Sequence, residues 1–247
     1  MPRDGVDSID QQVRAALRWL EQRGTKKARD GMARYGLPST TAYGVAVGAI
    51  KQLGRQLGRN HALALALWDT NRYEARLLAS FVGDPARLTR AEMDHWCRDF
   101  DNWGTCDTAC FHLFDRSPHA WTRIAPWARR RDEFQKRGAF VLLACLALHD
   151  KTAPDESLAK CLPLIERGAT DDRNFVKKGV SWALRSIGRR SPALHTAAVA
   201  TARRLTASRA PGAQWVGNDA LKELSSPAVT RRLTAPARAG GGTPRPR

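Results

Sequence analysis

Apolar residues in this chain recur at steps of three and four and rarely alternate, the period of helices that bury one face. Val13, Ala16, Leu17 and Leu20 mark the first such stripe, with Asp7, Ser8 and Asp10 nearby as candidate N-caps. The pattern predicts further helices over 26–35, 43–58, 60–69, 71–82, 90–101, 104–115, 119–130, 133–149, 155–167, 172–188, 192–207 and 215–225. Pro and Gly punctuate them, at Gly36-Leu37-Pro38, Gly83-Asp84-Pro85, Ser117-Pro118, Ala153-Pro154, Ser191-Pro192 and Pro211-Gly212. Ala, Leu and Arg dominate and β-branched runs are nearly absent, so the expected fold class is all-α. Short helices joined by tight turns stack as antiparallel pairs. The segments 90–130, 133–168 and 172–207 are comparable units, close to the roughly 40-residue period of HEAT and armadillo repeats. An α-solenoid of stacked helix pairs is therefore expected. An irregular helical globule is the alternative that such degenerate repeats leave open. No Gly/Ser-rich linker divides the chain, which predicts one domain over 6–226. The segment 234–247 is rich in Pro, Gly, Ala and Arg and is expected to be a disordered basic tail.

Composition adds a direction to this frame. Of 247 residues, 43% are apolar, enough for a sizeable core, while Lys and Arg outnumber Asp and Glu by 41 to 24 for a formal charge of +17. That excess predicts a polyanionic partner, nucleic acid before membrane. The longest apolar run, 138–148, falls well short of the ~18 residues that a spanning helix needs. The first residues carry acids and no apolar core, so no secretion signal is expected. Five cysteines scattered between Cys97 and Cys161 do not form a disulfide framework, and a reduced, cytoplasmic chain is expected.

Spacing says where the charge falls. Lys51, Arg55 and Arg59 stand at i, i+4 and i+8, one ridge of a helix. Lys178, Arg185 and Arg189 form a second row, and Arg129, Arg130 and Arg131 close a helix where they complement its dipole. Any one row reads equally as a solvated face. Several rows on successive repeats of a solenoid would track a phosphate backbone.

The candidate chemistry lies in Asp101-Asn102-Trp103-Gly104-Thr105-Cys106-Asp107. Trp103 and Asp107 are four apart and share a helical face. A lone carboxylate beside an indole in so basic a chain suits the loss of a cationic N3- or N7-alkylpurine. Such a base needs no acid to leave, and a fixed carboxylate stabilises the oxocarbenium-like sugar and orients water. Electron-rich indole faces assist a cationic nucleotide. An N-capping Asp next to a core Trp is the bland alternative for this segment.

Three further segments weigh against that alternative: Met32-Ala33-Arg34-Tyr35, Gln135-Lys136-Arg137-Gly138-Ala139-Phe140, and Asn174-Phe175-Val176-Lys177-Lys178-Gly179-Val180-Ser181-Trp182-Ala183-Leu184-Arg185. With Trp103-x-x-x-Asp107, their order and separations over about 8–225 resemble the bacterial DNA alkylation-repair glycosylases built of HEAT-like repeats (AlkD-like). The resemblance implies a C-shaped α-solenoid with duplex DNA in a basic concave cleft. It also implies hydrolytic release of cationic 7-alkylguanine and 3-alkyladenine, without metal or organic cofactor. Asp107 matches the catalytic carboxylate, Trp103 and Trp182 the two aromatics at the lesion, Arg137 a phosphate-binding arginine and Tyr35 a cleft tyrosine. Such enzymes grip the backbone and leave the lesion facing solvent, unlike the base-flipping glycosylases. Lys51, Arg55, Lys177, Lys178, Arg185 and Arg189 are expected to contact DNA, and the protein to act as a monomer without an obligate protein partner. Gly104 stands where the family often has an acid, and Cys145 where relatives carry a backbone-contacting lysine. Relatives of this fold that lack the aromatics have little or no activity, so a DNA binder without catalysis is the competing reading.

Other signals lead elsewhere. His95, Cys97, Cys106, Cys110 and His112 lie close together but lack the paired spacing of a zinc site, and packed thiols are expected. Asp94, Asp99 and Asp101 read as a solvated acidic patch, and Trp68, Trp96, Trp121 and Trp127 as core. No lysine beside a carboxylate suggests Schiff-base chemistry, so strand cleavage is not expected.

Overall fold

The structure is a computed structural model that describes residues 8–234, and among these the chain is helical with no strand. In chain order the helices are α1 (Ile9–Arg23), α2 (Lys26–Met32), which runs into a 3-10 turn (Ala33–Tyr35), α3 (Val47–Leu57), α4 (His61–Asp69), α5 (Tyr73–Val82), α6 (Arg90–Arg98), α7 (Trp103–His112), α8 (Ala120–Ala128), α9 (Glu133–His149), α10 (Asp155–Ala159), α11 (Leu162–Ala169), α12 (Asn174–Gly188), α13 (Pro192–Thr206), α14 (Pro211–Leu224) and α15 (Pro227–Thr234). Contacts pass along one row, from α3 to α5, α7, α9, α12 and α14. A second row covers it, with α4 on α5, α8 on α9, α11 on α12 and α13 on α14. The expected architecture of stacked helix pairs is present, around one continuous core from Ala16 to Leu224.

Local chemistry sets the helix ends. Ser8 and Gln11 form a capping box at α1, as Thr89 and Glu92 do at α6. Asn60, Asn102 and Ser191 each accept from a backbone N–H of the first turn they cap. Asn102, not Asp107, is the N-cap of α7. α9 is the axis of the molecule. Every residue from Arg137 to Ala147 is buried, and α6, α7, α8 and α12 pack round it. An all-round apolar helix is stable only when enclosed in this way.

Four boundaries differ from the sequence pattern, each for a physical reason. The helix predicted over 43–58 begins at Val47. The segment before it is extended because the buried Glu74 carboxylate accepts the N–H groups of Tyr43, Gly44 and Val45 at 2.9, 2.7 and 3.1 Å. The helix predicted over 155–167 is two, since Pro163 removes an N–H and its ring excludes the carbonyl of Ala159. The helix predicted from 215 starts at Pro211, whose fixed φ suits the first helical position. That predicted over 26–35 ends as a 3-10 turn because Gly36 adopts φ 66°. Positions 6–7 and 235–247 of the expected domain and tail lie outside the described residues.

Of the expected acidic patch, Asp101 is exposed, but Asp94 and Asp99 are engaged with the core. Asp94 accepts from the Trp127 indole at 2.6 Å and from Arg123 at 2.8 Å. Asp99 accepts from the Trp68 indole at 2.9 Å and pairs with Arg76 at 3.3 Å. Trp68 stacks on Trp96 with ring centroids 4.0 Å apart. These carboxylates satisfy buried indole N–H groups that would otherwise be costly. Trp68, Trp96 and Trp127 are core as expected, whereas Trp121 is half-buried and donates to Asp150.

Candidate functional site

Three helices of the inner row begin beside one another, and a cleft of about 570 Å³ opens at their N-terminal turns. Trp103 and Asp107 of α7, Arg137 of α9, and Asn174, Phe175 and Lys178 of α12 line it, with Arg34, Tyr35 and Gly36 closing one side. Helix N-termini carry partial positive charge, so their convergence favours anions, whether a carboxylate of the protein or a phosphate.

Arg137 organises the site. Its Nε and Nη2 donate to Asp107 Oδ1 and Oδ2 at 2.8 and 2.7 Å, and its Nη1 donates to the Phe175 carbonyl at 2.7 Å. The side chains are 8% and 19% exposed respectively. This is a two-pronged ion pair in a largely dry setting, with one edge of the carboxylate toward the cleft. Burial raises the Asp107 carboxyl above its ordinary value, opposed by the Arg137 charge. The same pairing raises Arg137 against its own burial. Burial and the guanidinium therefore pull the same carboxyl in opposite directions, burial being the larger.

The walls are fixed from the backbone. The Trp103 indole donates to the Tyr35 carbonyl at 2.6 Å, tying α7 to the turn after α2. Gly36 follows in the left-handed region, where a side chain would crowd the Phe175 ring 3.1 Å away. The Phe175 N–H donates to Glu133 Oε1 at 3.0 Å while its carbonyl holds Arg137. Tyr35 is 69% exposed, an aromatic at the cleft mouth left largely uncovered by the described residues.

A family model described as "DNA alkylation repair enzyme" matches residues 16–224, the whole of both rows through α14. The chain belongs to that family. Among solved structures, one described as "A new family of proteins related to the HEAT-like repeat DNA glycosylases with affinity for branched DNA structures" superposes with a TM-score of 0.69 at 20% identity, covering 77% of this chain and 82% of that one. At this identity the likeness establishes the HEAT-like repeat fold. No curated protein matches the sequence.

Within this family member, the residues expected to meet DNA fall into three groups. Tyr35, Trp103, Asp107, Arg137 and Lys178 share the cleft. Trp182 is half-buried against the core on α12, four residues beyond Lys178 and so on the same helical face, but it does not line the cleft. Lys51 and Arg55 line a separate hollow with Arg59 and Phe81, where Lys51 sits 5.8 Å from the Phe81 ring. The third group is spoken for. Lys177 pairs with Asp172 at 3.2 Å and lies 5.5 Å from the Trp215 ring. Arg185 pairs with Glu223 and lies 3.5 Å from Asp219, and Arg189 pairs with Glu223 at 2.9 Å. The row of Lys178, Arg185 and Arg189 is thus part open and part neutralised by α14.

Both departures from the family pattern have a structural reading. A methyl group on Gly104 would overlap the Tyr73 phenol and stand 2.9 Å from Leu37 Cδ2, so no acid fits there. Cys145 is wholly buried in α9, and a lysine at that position would have no route to a backbone. Phe175, Arg34 and Glu133 are site residues that sequence reasoning passed over. Phe175 stood inside a motif already singled out, seven positions before Trp182 and hence on its face. The thiols of Cys97, Cys106 and Cys110 point at the carbonyls of Gln135, Phe134 and Gly138, and no cluster of metal-ligating groups occurs among the described residues.

Proposed function

We propose that this member of the family is a monofunctional DNA glycosylase that hydrolyses the N-glycosidic bond of cationic N7- and N3-alkylated purines in duplex DNA. The observation that carries the reading is the Asp107 carboxylate, held by Arg137 beside Trp103 in a cleft walled by three helix N-termini. An alkylated purine leaves as a neutral base, and its departure places positive charge on the deoxyribose. A pre-positioned carboxylate stabilises that charge without reorganising. Asp107 lines the cleft while paired with Arg137, which supports a place for the sugar or the attacking water beside it. Exposed Lys178 and the Tyr35 ring suit the flanking phosphates and sugars.

Duplex DNA carrying defined N7- or N3-alkylpurines tests this directly, with free base as the readout. Asp107→Asn should slow release by about 10²–10³-fold, the scale of losing one preorganised group. A variant as fast as the natural protein removes Asp107 from the chemistry. The second reading is DNA binding without base release. It draws support from the same ion pair, because Arg137 engages both Asp107 oxygens. Salt-sensitive binding of duplex or branched DNA, with no base freed from any alkylated substrate, is its signature.

A further inference from the structure

Behind the cleft, between α5 and α7, lies a buried polar group that the glycosylase reading leaves unused. Tyr73 opens α5 and is 6% exposed. Its N–H is taken by the Thr41 carbonyl, and its phenol oxygen has no hydrogen-bond partner among the described residues. That oxygen is not among the fully sealed, unpartnered polar atoms, so its tip keeps access to water, the partner such a phenol ordinarily takes. The tip of this one lies over the bare Cα of Gly104. Gly104 and Asp107 are three apart on α7, adjacent positions on a helix surface. The missing side chain at 104 therefore leaves room for the phenol against α7, one helical step from the position that carries Asp107. Burial first, then the charges of Glu74 and Asp107, raise the phenol well above its usual range, so it remains an O–H donor at neutral pH.

We propose that Tyr73 is a positioning residue for the hydrolytic water, its Oη holding that water against Asp107 on the side away from Arg137. This rests on the glycosylase reading. In the step it serves, the glycosidic electron pair leaves with the base and neutralises it. The water oxygen bonds to C1′ of the sugar, and the proton it sheds passes to the Asp107 carboxylate. Tyr73 exchanges no proton; it supplies direction. Gly104 belongs to the same device, because any side chain there would displace the phenol.

Tyr73→Phe removes the oxygen and keeps the ring. Single-turnover base release at saturating DNA should fall about tenfold, the worth of one neutral hydrogen bond. DNA affinity and the thermal midpoint should not change. Gly104→Ala, which pushes the phenol aside, should slow the same step in the same way. A Tyr73→Phe rate equal to that of the natural protein overturns the inference, and so does a loss that tracks weakened binding or a lowered midpoint. Asp107→Asn in the same assay separates the two claims. If it is slow while Tyr73→Phe is fast, only the role of Tyr73 fails. If it is fast, or the natural protein releases no base, the glycosylase reading fails and takes this inference with it.

Discussion

At the scale of single residues, the Arg137–Asp107 pair bears on stability and, in the proposed glycosylase reading, on chemistry as well. Two charges withdrawn from water offset each other only while both are present. Arg137→Ala leaves a buried carboxylate without its counter-ion, and urea denaturation should show a loss of about 3 kcal/mol. Replacing both residues by apolar ones should recover most of that loss while abolishing base release. If Arg137→Ala unfolds at the same urea concentration as the natural protein, the pair is not the anchor described. These two residues were legible in the sequence because each sits in a motif with its own spacing. Their union was not, since they lie on different helices and spacing reports only one helix at a time. The same limit explains Arg185 and Arg189. Their row with Lys178 was visible, but the acids that neutralise them stand on α14, a neighbour in space and not in sequence.

Among the helices, Glu74 does the most from one position. Its carboxylate at the start of α5 gathers three N–H groups of the segment before α3. That segment could not have been told from helix by periodicity, because its apolar residues fit either state until a remote carboxylate captures the backbone. Glu74→Ala strands those donors, each worth about 1 kcal/mol net or more when left unmet. The expected loss is about 3 kcal/mol in chemical denaturation, with Glu74→Gln intermediate since one acceptor oxygen survives. An unchanged midpoint in Glu74→Ala would mean that water replaces the carboxylate. Helix breaks within long periodic stretches were equally hard to foresee. Pro163 divides α10 from α11 at a point where the apolar period continues unbroken. Helix existence followed from pattern; helix ends followed from caps and prolines.

For the whole molecule, the charge of +17 is a sum that hides its distribution. Lys178 projects at the cleft without an acidic partner among the described residues, while Arg185 and Arg189 are ion-paired. Counterion release counts only cations that meet phosphate. Lys178→Ala should lower DNA affinity and reduce the slope of log affinity against log salt by about one. Arg189→Ala should leave that slope nearly unchanged. Equal effects from both would place Arg189 on the DNA after all. The all-helical class and the stacking of pairs were readable from period and punctuation, and the family from four short motifs. What lay beyond reading was which cations face outward.

The burial of α9 on all sides bears on how the protein can be taken apart. The helix carries Arg137 and is wrapped by neighbours from both directions along the chain. A break between α7 and α9 would part the acid from its guanidinium and leave an oily rod facing water in one fragment. Neither half would then hold the Asp107–Arg137 pair. Modular as its repeats are, the molecule is indivisible at its middle.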